Sequence, residues 1–270
     1  MEHSPHLVAT TAEVLRPRLL SGKTAIVTGA GTGIGRAIAL RLAALDMTVI
    51  GIGRRIELLE ETRGLAADLA GRLLVEGCNL RDADAASGLI DRIGREHGID
   101  LLVNNAGGQF YARATEISRK GWDSVIDLNL SSIFTATMAA YPYLRNRRGS
   151  IANLSLSGVE RGTKGLAHSI AARAGVLGMT RTLALEWARD GVRINCIGPG
   201  MVQTTGLERP VARDRAADLI HATPAGRATT PEEVAELIAF LASDAGRLMT
   251  GQLIHIDGAA HIGPGLDMID

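Results

Sequence analysis

The first residues able to do chemistry are glycines. Thr28-Gly29-Ala30-Gly31-Thr32-Gly33-Ile34-Gly35 lies between a short apolar run and a stretch with helical spacing. Residues without side chains let the chain turn tightly, let a phosphate approach the backbone and let a helix pack on a strand. The first helical turn then offers free N–H groups to a pyrophosphate. Gly29, Thr32, Gly33 and Ile34 are therefore candidate dinucleotide contacts. The spacing G-x-x-x-G-x-G differs from the commoner G-x-G-x-x-G. A second signal is Gly53-Arg54-Arg55. An acidic residue there would hold a ribose 2′-hydroxyl. None occurs between Val49 and Arg55, and arginine suits a 2′-phosphate. The residues favour NADP(H) over NAD(H).

Elements must position these groups. Short apolar runs at Thr24–Thr28, Val49–Ile52, Leu73–Val75, Leu101–Val103, Ile151–Leu154, Val192–Ile197 and Leu253–Ile256 read as buried strands. Longer polar-apolar stretches between them, beginning with Ile34–Ala44, read as helices. About seven strands and six helices in alternation predict one α/β domain, a Rossmann-like doubly wound parallel sheet. Residues 1–20 are expected to form an N-terminal arm, 21–262 the dinucleotide-binding and catalytic domain, and 263–270 a C-terminal tail. The polar stretch Gln203 to Thr230 is expected to cover the site as a lid or substrate loop.

Composition narrows the classes. Lys+Arg and Asp+Glu are both 29, so nothing favours a nucleic-acid or anionic-membrane partner. Cys78 and Cys196 stand far apart, without a Cys/His cluster, which gives no disulfide framework and no metal signature. Residues 1–20 lack a continuous apolar core, so neither a signal peptide nor a membrane span is expected. A cytoplasmic setting follows.

Several separate segments resemble the short-chain dehydrogenase/reductase family, from about Ser21 to Gly258. They are the glycine turn, Asn104-Asn105-Ala106-Gly107, Asn129 in Asp127-Leu128-Asn129-Leu130, Asn195…Pro199-Gly200…Thr204, and Thr250-Gly251-Gln252…Asp257-Gly258. The resemblance implies that Asn105, Ala106 and Gly107 border the adenosine ribose. It places Asn79 and Leu80 near the adenine, and Pro199, Gly200, Val202 and Thr204 around the nicotinamide. Asn129 matches the family's active-site asparagine, which kinks a helix and holds a water of the proton relay. Relatives are commonly homotetramers, so a homo-oligomer, tetramer or dimer, is expected.

Most of that family carries Tyr-x-x-x-Lys on one helix face, the ammonium lowering the phenol's pKa. Here Ser169 takes the tyrosine position and Arg173 the lysine position. The tyrosines are Tyr111, Tyr141 and Tyr143, and none has lysine four residues on. Arginine can hydrogen-bond the nicotinamide ribose but does not substitute for lysine. Ser155 and Ser157 flank the usual catalytic-serine position, and the sequence does not choose between them.

Gly107-Gly108-Gln109-Phe110, Ile117–Trp122 and His168–Val176 are similar to trans-2-enoyl-CoA reductases of the peroxisomal type. That branch reduces a C=C bond conjugated to a thioester. Donors aimed at the thioester oxygen would stabilise the developing enolate. Candidates are Ser169, Ser155 or Ser157, Gln109, Tyr111 and His168, the last also as proton source. Arg113, Arg119, Lys120 and the arginines of 209–215 are candidates for the phosphates of an acyl thioester. Three readings follow in order. The first is an enoyl-thioester reductase. The second is a 3-oxoacyl or ketone reductase with a relocated acid, for which Tyr111 is the candidate phenol. The third is an NADP(H)-binding protein without redox turnover.

Overall fold

A computed structural model describes residues 15–202, 220 and 222–263. The described residues contain seven strands: β1 (Thr24–Thr28), β2 (Thr48–Gly53), β3 (Arg72–Gly77), β4 (Leu101–Asn104), β5 (Ser150–Leu154), β6 (Arg193–Pro199) and β7 (Leu253–Ile256). They form one sheet in the order β3-β2-β1-β4-β5-β6-β7, with every pair parallel. Every residue of β1, β4 and β5 is buried, because helices cover both faces of a parallel sheet. This is why these strands read as continuous apolar runs rather than alternating ones.

The helices among the described residues are α1 (Gly33–Ala44), α2 (Ile56–Leu65), α3 (Ala83–His97), α4 (Arg119–Ile126), α5 (Ser132–Arg147), α6 (Ala167–Trp187) and α7 (Pro231–Ala242). Seven replace the expected six because a π turn, Asp127–Ser131, joins α4 to α5. One extra residue per turn rotates everything after it, and such insertions often mark functional sites. Side chains alternate across β1. Ala25 and Val27 pack with Ile38 and Leu42 of α1 and Val234 and Ile238 of α7. Ile26 faces the opposite layer, with Ile90 and Ile93 of α3, Leu144 of α5 and Trp187 of α6.

A polar chain crosses the centre of this apolar sheet. Asn104 Nδ2 donates to Asn153 Oδ1 at 2.8 Å, and Asn153 Nδ2 donates to Thr180 Oγ1 at 3.0 Å. Thr180 Oγ1 lies 3.2 Å from Cys196 Sγ. Asn104, Asn153 and Cys196 are register partners on adjacent strands. Every one of these groups is buried, so each needs its partner.

The expected arm contributes to the core. Leu20 is fully buried and its N–H donates to Leu45 O at 3.1 Å, while Leu15 packs against the same cluster. A leucine followed by a tight turn has no periodicity to reveal this. The expected lid falls mostly on 203–219 and 221, outside the described residues. Among the described residues no helix is long and apolar enough to cross a membrane.

α7 begins with a reciprocal cap. Thr230 Oγ1 accepts from the Glu233 N–H at 3.2 Å, and Glu233 Oε2 accepts from the Thr230 N–H at 2.8 Å. Glu233 also pairs with Arg227 at 2.6 Å, which holds its carboxyl below the ordinary value. Thr230→Ala is expected to cost about 1 kcal/mol and a few degrees in thermal midpoint, read by calorimetry. The Glu233 contribution is present above the unfolded carboxylate pKa. It is lost as pH falls through the lower folded value, so the wild-type advantage over a Glu233→Gln variant shrinks in acid.

Candidate active site

The strand order reverses direction between β1 and β4, which opens a crevice at the carboxyl edge of the sheet. A cavity of about 380 Å³ occupies it. Gly29, Thr32, Gly33 and Ile34 line it after β1, Arg54 and Arg55 after β2, Asn79 and Leu80 after β3, and Asn105, Ala106 and Gly107 after β4. Residues far apart in the chain, from Gly29 to Leu128, therefore meet around one cavity.

The turn is held by identifiable bonds. Thr28 Oγ1 accepts from the N–H groups of Asn105 and Ala106 at 2.9 and 3.0 Å, and donates to Val103 O at 3.1 Å. Asn105 Nδ2 donates to Thr28 O at 2.8 Å. Gly29 has φ +70°, and a Cβ on Gly35 would sit 2.2 Å from the Gly29 carbonyl oxygen. Both positions need glycine, the first for its backbone angle and the second for space. α3, α4 and α7 are capped by the side chains of Asp82, Ser118 and Thr230. Thr32 makes no such bond at the start of α1, so the leading N–H groups there face the cavity wall without a side-chain acceptor.

Nothing in the sequence pattern singles out Arg36. Its Nη2 and Nε donate to Gly31 O at 2.6 and 3.0 Å, and Nη2 pairs with Glu61 at 3.0 Å. This guanidinium ties the turn to α2. An arginine on the first turn of a helix looks like a solvated residue until the carbonyl opposite it is known. Leu58, Leu59, Cys78 and Leu128 add apolar surface to the lining.

Past Gly107, outside the lining of this cavity, several polar side chains gather. Asn129 is buried in the π turn, and its side chain clasps the N–H and the C=O of one residue, which belong to two successive peptide groups. Oδ1 accepts from the Gly108 N–H at 3.0 Å and Nδ2 donates to Gly108 O at 2.8 Å. Its amide anchors the loop after β4 through one N–H and the oxygen. A Cβ on Gly107 would lie 2.9 Å from Arg173 Nη2 and 3.0 Å from Asn129 Oδ1, so these two groups flank that glycine.

Ser169 is fully buried and its hydroxyl donates to Gln109 Oε1 at 2.6 Å. One turn later, Arg173 donates to the Leu154 carbonyl at the end of β5. Its Nε is enclosed without a partner, and it pairs with no carboxylate among the described residues. Loss of surrounding water pushes the guanidinium down to about 10, which leaves it cationic at neutral pH. Ser155 is buried with its hydroxyl unpartnered, while Ser157 opens a 3-10 turn and is half-exposed.

Other candidates lie elsewhere. Tyr111 is 55% exposed. Its ring approaches the Gly165 turn. The hydroxyls of Tyr141 and Tyr143 are engaged by Asp190 and Asp91. No phenol hydrogen-bonds to Ser169 among the described residues. His168 is fully buried with its ring edge against Phe110 at 4.3 Å, and burial lowers its pKa below the ordinary imidazole value. A neutral, packed imidazole is a poor acid. Pro199 ends β6 at the same carboxyl edge, the Gly200 N–H donates to Ile256 O at 3.2 Å, and Val202 bridges Thr229. They stand outside the 380 Å³ cavity. Thr204 and the arginines of 209–215 lie outside the described residues.

Comparison with known proteins agrees with this architecture. Residues 29–261 match the family profile described as Enoyl-(Acyl carrier protein) reductase. The 3-oxoacyl-[acyl-carrier-protein] reductase FabG of Thermotoga maritima is 38% identical over 88% of this chain and 98% of its own. A Bacillus subtilis protein described as a 2,4-dienoyl-CoA reductase is 36% identical over 90% of this chain and 98% of its own. A Beutenbergia cavernae structure described as an NAD(P)-dependent gluconate 5-dehydrogenase, with bound NADP at low occupancy, superposes with a TM-score of 0.86. It is 34% identical, over 91% of this chain and 99% of that one. Sequence, sheet order and the glycine-lined crevice agree: the chain belongs to the short-chain dehydrogenase/reductase family of oxidoreductases.

Proposed function

We propose that the protein is an NADP(H)-dependent reductase of the C=C bond of 2-enoyl thioesters. The cofactor reading rests on the crevice. Its lining contains Arg54 and Arg55 and no carboxylate, so it suits a phosphorylated ribose. Neither arginine forms an ion pair among the described residues, so both are available. The uncapped start of α1 suits the pyrophosphate. Bound NADP in a structural relative favours the same cofactor.

The observation that carries the reaction is the Ser169–Gln109 hydrogen bond in place of an ionisable phenol. When bound, NADPH supplies hydride to the β-carbon, and negative charge then grows on the thioester oxygen. With its oxygen accepting from Ser169, the Gln109 amide keeps its N–H groups free to donate there. Fixed donors stabilise an enolate without giving up a proton. Arg173, flanking Gly107, adds positive charge and reaches for the ribose hydroxyls. The α-carbon takes its proton from solvent, because His168 is packed and neutral. Asn129 acts by holding both peptide groups that flank Gly108, which fixes the loop carrying Gln109. Carbonyl reduction would need an acid for the alkoxide, and the exposed Tyr111 is poorly placed to be one.

The same proposal places Pro199, Gly200, Val202 and Thr204 at the nicotinamide, Asn79 and Leu80 at the adenine, and Arg113, Arg119 and Lys120 at the thioester's phosphates. It sets the enzyme in the cytoplasm as a homotetramer. The open edge of β7 and the exposed Phe134 on α5 and Leu185 on α6 support self-association.

Purified protein with NADPH should turn over a 2-enoyl-CoA and leave a 3-oxoacyl-CoA unchanged, followed at the nicotinamide absorbance. Its kcat should stay level from about pH 7 to about pH 9, where no group facing the substrate titrates. Turnover of the 3-oxoacyl-CoA alone would replace this reading with carbonyl reduction. NADPH binding without turnover of either would leave a non-redox binding protein.

A further inference from the structure

A second cluster lies behind the sheet edge, with ligand atoms of His255, Asp257 and His261 within 4.8 Å of one another. β7 delivers His255 and the turn after it returns His261 to the same place. The Asp257 side chain is 2% exposed, and its oxygens accept from the N–H groups of Ala259 at 3.1 Å and His261 at 2.7 Å. His261 Nδ1 stands 3.0 Å from Asp257 Oδ2. No lysine or arginine neutralises this carboxylate among the described residues.

The two imidazoles stack face to face at 3.8 Å and 3°. Aromatic rings by themselves favour offset or edge-on contact. His255 Nδ1 is buried and has no hydrogen-bond partner. The protein thus holds two imidazoles and a nearly buried carboxylate together, with polar capacity on His255 that no protein group uses. Both histidines also line a cavity of about 740 Å³, with Glu160 on the same wall, which gives an ion a way in.

We propose that His255, Asp257 and His261 form a binding site for a divalent transition ion of the zinc type, outside the reductase site. Two imidazole nitrogens and one carboxylate suit Zn²⁺, Co²⁺ or Ni²⁺ and do not suit Mg²⁺ or Ca²⁺, which prefer all-oxygen sets. Modest ring rotation turns the stacked edges toward a common point. Water or Glu160 completes the shell. A Cβ on Gly200 would lie 3.0 Å from Asp257, and one on Gly198 3.1 Å from His255 Nδ1. The ion would therefore brace the end of β6, a structural role with no part in hydride transfer.

The test uses the full chain, stripped with a chelator, and Co²⁺ as the probe. One saturable equivalent per chain is expected, with visible d–d absorption that Zn²⁺ displaces. Saturating Zn²⁺ should raise the thermal midpoint by about 5 °C, and Mg²⁺ should not. His255→Gln and His261→Gln should each abolish Co²⁺ uptake while NADPH affinity persists. Independently of any variant, the Co²⁺ form should show hyperfine-shifted ring N–H resonances from two histidines. The proposal is overturned by absent saturable uptake, by uptake undiminished in both variants, by an equal response to Mg²⁺, or by spectra without those resonances.

Discussion

Arg173→Met is expected to lower kcat/KM for the enoyl thioester by about 10²- to 10³-fold and to weaken NADPH binding, while the thermal midpoint does not fall. The argument has two halves. The Arg173 head is enclosed, its Nε has no partner, and no carboxylate among the described residues offsets its charge. Holding a cation there opposes folding, so an apolar side chain of similar length should be tolerated. The cost is accepted at a position beside Gly107, a residue that lines the crevice. Steady-state kinetics, equilibrium NADPH titration and calorimetry on one preparation check both halves. A clear drop in midpoint with unaltered turnover would make Arg173 a packing residue fastened to the Leu154 carbonyl and nothing more.

The second large effect is expected at the bond between Ser169 and Gln109. Ser169→Ala and Gln109→Ala should each reduce kcat about 10²-fold, with NADPH affinity unchanged. Serine without glutamine has no amide to present, and glutamine without serine loses the donor that orients it. The double variant should then be little worse than the poorer single one, because the pair works as a unit. Additive losses would show that the two side chains contribute separately. Unchanged kcat in both would remove the proposed oxyanion donors altogether.

The sheet was legible because its strands are short apolar runs bounded by turn residues. The reading of β1 and β7 matches the observed strands end for end, and the others shift by one or two residues. The glycine turn and the arginines after β2 were legible for a different reason. Their chemistry depends on residue type at a strand end, and parallel topology places those ends together. What the sequence withheld are contacts between distant positions. Gln109 and Ser169 are 60 residues apart, and neither spacing nor composition pairs them. The π turn was hidden too, since one inserted residue leaves the apolar pattern on either side intact. Asn129 was found by resemblance, but its clasp on Gly108 depends on that turn. Ser155 and Ser157, equivalent in sequence, differ in enclosure because only the first still rides at the end of β5.

The chain of amides, hydroxyl and thiol from Asn104 to Cys196 bears on how the polypeptide reaches its native pairing. Apolar strands slide past one another at little cost, since one aliphatic neighbour serves nearly as well as another. A slip of one residue in β4, β5 or β6 would swing a polar group to the opposite layer and strand it among hydrocarbon. Misaligned intermediates are thereby raised in energy relative to the correct one, so the middle of the sheet has a single productive alignment to nucleate on, and the outer strands inherit it.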